Sequence, residues 1–161
     1  MTNGVFLAVA LAAALGSGLI AGVFFAFSAF VMRALARLPA AQGIAAMQSI
    51  NVTVLGPAFL TVFVGTALLS LVAVVLALVW WAGAGSGWAL TGGLLYVAGT
   101  VGLTRVVHIP RNEALARVAA GSDSGRAYWT RYLREWTAWN HVRTVAALAA
   151  CASLVLAMAN R

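Results

Sequence analysis

The alternation of apolar and polar residues divides the chain into long apolar runs joined by short polar segments. Val5 to Met32 carries no charged side chain, and neither does Leu38 to Thr104. A bilayer core ~30 Å thick needs about 20 helical residues, so uncharged runs of this length predict membrane spans. Spans are expected at about 5–32, 54–81, 88–107 and 139–159. The first run is too long for the core of a signal peptide, and no positive side chain precedes it, so it reads as a retained span. Inside it, Gly18 and Gly22 form a small-xxx-small pair that lets another helix approach, within one bundle or in a homo-oligomer. Phe24 and Phe27 share a face that Phe30 continues, either as ordinary packing or as one wall of an aromatic-lined pocket.

The joints carry their own signals. Arg33 and Arg37 mark the exit from the first span. Pro39 suits a first helical turn and predicts a helix over about Ala40 to Asn51, with Ile44, Met47 and Asn51 on one face. Gly56-Pro57 should bend the start of the second span, because proline removes a backbone donor and crowds the preceding turn. Trp80 and Trp81 end that span as an interfacial aromatic belt. The sequence GAGSG at 83–87 predicts a tight turn. Pro110 predicts that the third helix stops or kinks at Ile109. A short helix over Asn112 to Ala119 should follow, and then Ser122, Asp123 and Ser124 as cap candidates for the next helix. That last helix can run from Arg126 to Ala159, about 51 Å at 1.5 Å per residue. Roughly its first 14 residues should stand outside the hydrocarbon, which then begins near Asn140. Trp129, Tyr132, Trp136, Trp139 and Arg143 follow 3-4-3-4 spacing and line one face, with Asn140 beside it.

Composition agrees with this pattern. The 161 residues are 63% hydrophobic and 8% charged, against roughly 25% charged in a soluble domain. The net charge of +7 could suit nucleic acid. Arginine collected on cytoplasmic loops explains it better, and no nucleic-acid partner is expected. The loops after the first and third spans hold the arginines and the turn after the second holds none, which places both termini outside a bacterial cell membrane. The expected fold is an all-α membrane protein, an up-down four-helix transmembrane bundle with a cytoplasmic helical cap, forming one domain over 1–161. Cys151 is alone in an apolar run, so it forms no internal disulfide and is expected to be inert.

The chemistry is concentrated at 105–143. This segment holds seven of the ten arginines, all three acidic residues and both histidines. The topology brings Asn51, His108, Asn140 and Arg143 to one depth at the cap end. Polar side chains at membrane depth are costly, face the bundle interior and mark function. His108 either transfers protons near neutral pH or merely caps its helix. Arg143 cannot be discharged, so it either pairs with Glu135 or Glu113 or holds an anion. His141 points about 100° away from Asn140, toward the interface. His108, His141 and one of Glu113 or Glu135 could form a ferrous site, yet their spacing supplies no ligand motif, so no metal is expected. Nor is there a dinucleotide fingerprint, a phosphate loop or a haem attachment motif, so no cofactor is expected.

These residues resemble those of a known family. HIPRN (His108, Pro110, Asn112), followed by a tryptophan-rich helix ending WTAWNHVR (Trp136, Trp139, Asn140, Arg143), resembles the anthrone oxygenase-like family of small four-span membrane proteins. MQSIN, ending in Asn51, and the phenylalanine-rich end of the first span fit it too. The resemblance implies oxidation of an anthrone-like polycyclic aromatic to a quinone by dioxygen, without a bound cofactor. The partners would be a lipid bilayer, an apolar aromatic small molecule and dioxygen. His108 would be the base, and Asn51, Asn112, Asn140 or Arg143 would hold the developing oxyanion. His108, Asn140 and Arg143 are thus the catalytic candidates, and Asn51, Asn112, Trp136, Trp139, Tyr132, Met47 and Phe27 the substrate contacts. Two other readings stay open: a non-catalytic membrane binding or accessory protein, suggested by the sparse acid–base equipment, and a metal-dependent membrane oxidoreductase.

Overall fold

Five helices follow one another in the computed structural model, which describes residues 2–80 and 83–160. α1 comprises Thr2–Ala26, a π-helical turn at Phe27–Val31, and Met32–Ala36. α2 is Ala40–Thr53 and α3 is Pro57–Val79. α4 begins as Ala84–Leu94, widens to π-helical register over Leu95–Gly102 and Thr104–His108, and ends as Ile109–Ala116. α5 is unbroken over Asp123–Ala159. All regular elements among the described residues are helical. Among the described residues four stretches are long and apolar enough to cross a membrane: Gly4–Ala36, Pro57–Val79, Ala84–Ala116 and Asp123–Ala159.

α1 packs against α3 and α5, and α4 packs against the same two helices. Chain neighbours are thus neighbours in space, and the ring closes between α1 and α5, which is the up-down bundle. α2 lies across one end and touches α1, α4 and α5 as a cap. The cap has its own core, made by Met32, Leu35, Ile44, Met47, Leu115, Trp129, Tyr132 and Trp136. Gln48 ties it to α4. Its Nε2 donates to the carbonyls of Leu115 (2.9 Å), in the last turn of α4, and Val118 (3.1 Å), just past its end.

Several joints differ from expectation. Gly56-Pro57 does more than bend a span: α2 ends at Thr53, Gly56 is extended, and Pro57 opens α3 as its first residue. The turn before α4 is narrower than GAGSG, because Gly83 alone takes positive φ (97°) and the helix starts at Ala84. Trp80 is exposed at the end of α3, whereas Trp81 lies outside the described residues. Helix α4 does not stop at Ile109, which keeps helical dihedrals (φ −57°, ψ −52°) directly before Pro110. The wider π register just upstream gives a physical reason. Bonds to the fifth residue back open the turn where the proline ring would otherwise crowd a carbonyl. Consequently no separate helix over Asn112 to Ala119 exists, and α4 ends at Ala116. Ser122 caps α5, its Oγ accepting from Gly125 N at 2.9 Å.

The bundle tapers. Away from the cap, its core is Ala13, Ala14, Ala73 and Leu154, then Ala77, Ala89 and Ala157. Small side chains draw the helices together there. Nearer the cap the core turns aromatic, with Ile20, Phe24, Phe63 and Tyr96. The closest helix approaches are not at the expected Gly18–Gly22 pair. A Cβ on Gly18 would meet Cys151 at an ordinary 3.4 Å, and one on Gly22 would meet nothing within 4 Å. A Cβ on Gly93, by contrast, would lie 2.7 Å from the Ser70 carbonyl oxygen, and one on Gly99 would lie 2.7 Å from Ala146 Cβ.

Gly93→Ala should therefore destabilise the purified protein by about 1–3 kcal/mol, because backbone cannot yield as a side chain can. Gly22→Ala should be neutral or stabilising by up to ~1 kcal/mol, since alanine is the better helix former. Thermal unfolding midpoints in detergent check both, and equal effects would contradict the packing described.

Candidate functional site

Below the cap the aromatic layer does not fill the bundle. A cavity of about 200 Å³ opens between α1, α2, α3, α4 and α5. Its walls are Phe24 and Phe27 from α1, Met47 and Asn51 from α2, Phe59 and Phe63 from α3, Thr104, His108 and Asn112 from α4, and Trp136 and Arg143 from α5. Where its lining reaches the surface the side chains are apolar: Leu55, Leu60 and Ile109 are exposed. The mouth thus lies between the α2–α3 joint and α4.

Arg143 is the unusual member. Its side chain is buried, yet no carboxylate lies within ion-pair distance among the described residues. Glu135 pairs instead with Arg111 at 3.4 Å, and Glu113 is exposed. Neutral groups hold the guanidinium. One terminal nitrogen donates to Thr104 Oγ1 (3.0 Å) and the other to Asn140 Oδ1 (2.6 Å). Asn140 is held in turn, its Nδ2 donating to the Phe24 carbonyl and to Ser28 Oγ, each at 2.7 Å. Arg143 Cζ sits 4.0 Å from the centre of the Phe24 ring and 5.5 Å from that of Trp136, where the ring faces attract a cation. Its Nε has no hydrogen-bond partner among the described residues.

His108 is also buried, its ring edge-on to Trp136 with centroids 5.0 Å apart. Neither ring nitrogen makes a hydrogen bond of good geometry among the described residues; the Trp139 backbone is a polar neighbour. Asn51 is similar, its Nδ2 buried without a well-aligned partner and its side chain beside the Tyr132 hydroxyl. Asn112 is more firmly fixed, because its Oδ1 accepts from Tyr132 (2.8 Å) and from Trp136 Nε1 (3.0 Å). The second of these bonds holds the Trp136 ring, which faces both Phe27, at 5.8 Å, and His108.

Seven of the ten residues singled out in the sequence meet at this cavity: His108, Arg143, Asn51, Asn112, Trp136, Met47 and Phe27. Three do not line it. Asn140 lies behind Arg143 and Tyr132 behind Asn112, each as a hydrogen-bond partner. Trp139 turns away and is 39% exposed. It lies about 60° round the helix from Trp136, whereas Asn140 lies about 40° round on the α1 side, so the buried face is Trp129, Tyr132, Trp136, Asn140 and Arg143. Phe30 also turns out, at 61% exposure.

The sequence reading passed over Ser28 and Thr104. The only signal was spacing: Thr104 is one turn from His108, and Ser28 one turn from Phe24. Both lie on π-helical turns, a form that recurs at functional sites. His108 and His141 do not approach a shared site. His141 is on the outer face of α5, and among the described residues no three His, Cys, Asp or Glu side chains gather that could hold a metal ion.

A cavity lined by hydrogen-bond donors, one imidazole and aromatic rings, with no carboxylate, suits a flat apolar molecule bearing an electron-rich oxygen. No curated protein and no solved structure matches this chain. The sequence model of the anthrone oxygenase family matches residues 58–153, more than half of the chain and the part that holds His108, Asn112, Tyr132, Trp136, Asn140 and Arg143. On that match, the chain belongs to the anthrone oxygenase family.

Proposed function

We propose that the protein oxidises an anthrone-like polycyclic aromatic to the corresponding quinone with dioxygen, and that the substrate's own electrons reduce the oxygen. The observation that carries this reading is the buried Arg143 facing an apolar cavity without a carboxylate partner. A buried unpaired charge is expensive, so its retention beside His108 points to an anion formed in the cavity. The volume, about 200 Å³, is small against the ~300–1,000 Å³ of common ligand clefts. A flat ring system lying between Phe27, Phe59 and Trp136 makes use of it, with substituents projecting through the apolar mouth. Such a molecule partitions into the bilayer and reaches the mouth from there.

The steps follow from the lining. His108 carries the one imidazole in the lining, and it takes a proton from the methylene carbon. The charge moves across the central ring to the carbonyl oxygen as an enolate, toward Arg143 and Asn51. The enolate passes one electron to dioxygen, and the two radicals couple to form a carbon–peroxide bond. His108 returns its proton to the outer peroxide oxygen. Loss of water across the remaining C–H and the O–O bond leaves the second carbonyl. One oxygen atom enters the quinone and the other leaves as water. Asn140 acts as a positioning residue, holding Arg143, and Asn112 positions Trp136 in the same way.

Purified protein given anthrone under air should consume oxygen and yield anthraquinone faster than a heat-treated control. With ¹⁸O₂, one labelled atom should appear in each quinone. His108→Ala should lower kcat by about 10²–10⁴-fold, the span general base catalysis covers. Unchanged turnover in that variant would remove histidine from the mechanism. Arg143→Lys keeps the charge but loses the forked donors, and should cost about 10²–10³-fold in kcat with a smaller change in KM, as for other oxyanion donors. A loss confined to KM would mean that Arg143 binds substrate and does not stabilise the enolate.

A further inference from the structure

A second concavity, about 430 Å³ and open to the surroundings, lies on the other side of α5, in the seam with the cap end of α1. It is lined by Ser28, Met32 and Arg33 from α1 and by Arg134, Thr137 and His141 from α5, among others. No carboxylate contributes to it. The acidic residues are engaged or placed elsewhere: Glu135 pairs with Arg111, Asp123 with Arg126, and Glu113 is exposed on α4. The fold thus brings two guanidiniums and an imidazole from two helices to one groove and gives them hydroxyl neighbours but no anion.

The level of the groove in the bundle identifies the missing partner. Arg33 lies within a turn of the end of a membrane-length helix, and His141 adjoins the buried Asn140. Trp139 is half-exposed at the same height, where an amphipathic ring marks a membrane–water boundary. Further from the cap, α1 and α5 expose Phe25, Val145 and Leu148, an apolar surface suited to acyl chains. Guanidinium groups bind phosphate oxygens through paired hydrogen bonds, and basic pockets between membrane helices take anionic headgroups.

We infer that this groove is a binding site for the phosphate headgroup of an anionic phospholipid, with Arg33 and Arg134 as its clamps. Its floor reaches the first site. Ser28, which lines the groove, accepts the hydrogen bond that helps hold Asn140 against Arg143. The inference does not depend on the reaction proposed above.

Thermal unfolding of the full chain in neutral-detergent micelles tests it, with phosphatidylglycerol, phosphatidylcholine or inorganic phosphate added in turn. A ligand that binds the folded state raises its midpoint by mass action. Phosphatidylglycerol should raise the midpoint by several degrees, and phosphatidylcholine and inorganic phosphate should not. The exposed pair Arg33→Gln with Arg134→Gln should abolish that increment, and Arg117→Gln with Arg126→Gln, which removes equal charge from the cap, should retain it. Should the groove pair unfold, either single substitution, with bound lipid counted by native mass spectrometry, gives the same comparison. Equal shifts with both lipids, or an undiminished shift in the groove variants, would overturn the site. A full shift with inorganic phosphate alone would make it a free-phosphate site and overturn the lipid assignment.

Discussion

The structure depends on how one buried cation is accommodated. Removing an arginine from water costs several kcal/mol even after relaxation, and this chain offers Arg143 no carboxylate among the described residues. The compensation is a relay of neutral dipoles. Thr104 and Asn140 accept from the guanidinium, Asn140 gives its own protons to Ser28 and the Phe24 carbonyl, and the Phe24 and Trp136 rings cover the rest. That relay pins three helices together at one depth: α1 through Ser28 and Phe24, α4 through Thr104, and α5 through Asn140. The same bonds that make the charge tolerable also fix the cavity wall.

Side-chain size decides where the cavity lies. Alanine layers bring the four spans close at the end away from the cap. Phenylalanine and tyrosine hold them apart nearer the cap, and α2 closes the wider end with Met47 and Asn51. The π turns occur at this level, in α1 at Phe27–Val31 and in α4 up to His108. They carry Ser28, Thr104 and His108, so local widening of the helix and placement of polar groups coincide.

Much of this was legible in the sequence, for reasons that differ by residue. The four spans were readable because hydrocarbon tolerates little besides long apolar helices. His108, Asn51 and Arg143 were readable because polar groups are scarce at that depth and topology brings them together. The role of Asn140 was not. Its place beside the tryptophan stripe suggested a catalytic group facing the substrate, whereas its amide bonds to Arg143, Ser28 and the Phe24 carbonyl. Trp139 and Phe30 were placed on their faces by residue spacing, but both lie outward, at 39% and 61% exposure. The course of the chain through Pro110 was hidden as well, since nothing in the sequence announces π register.

One consequence follows from the unbroken course of α5. Cap and bundle share this single rod, and the cavity sits midway along it, contacted by Trp136 and, about two turns on, Arg143. Inserting or deleting one residue between them would change the phase of everything downstream by about 100°. The guanidinium would swing from the interior toward lipid, and the alanine face would leave its seam. The joints can therefore absorb a change of length that this rod cannot, and the distance from Trp129 to Leu154 is a fixed dimension of the fold.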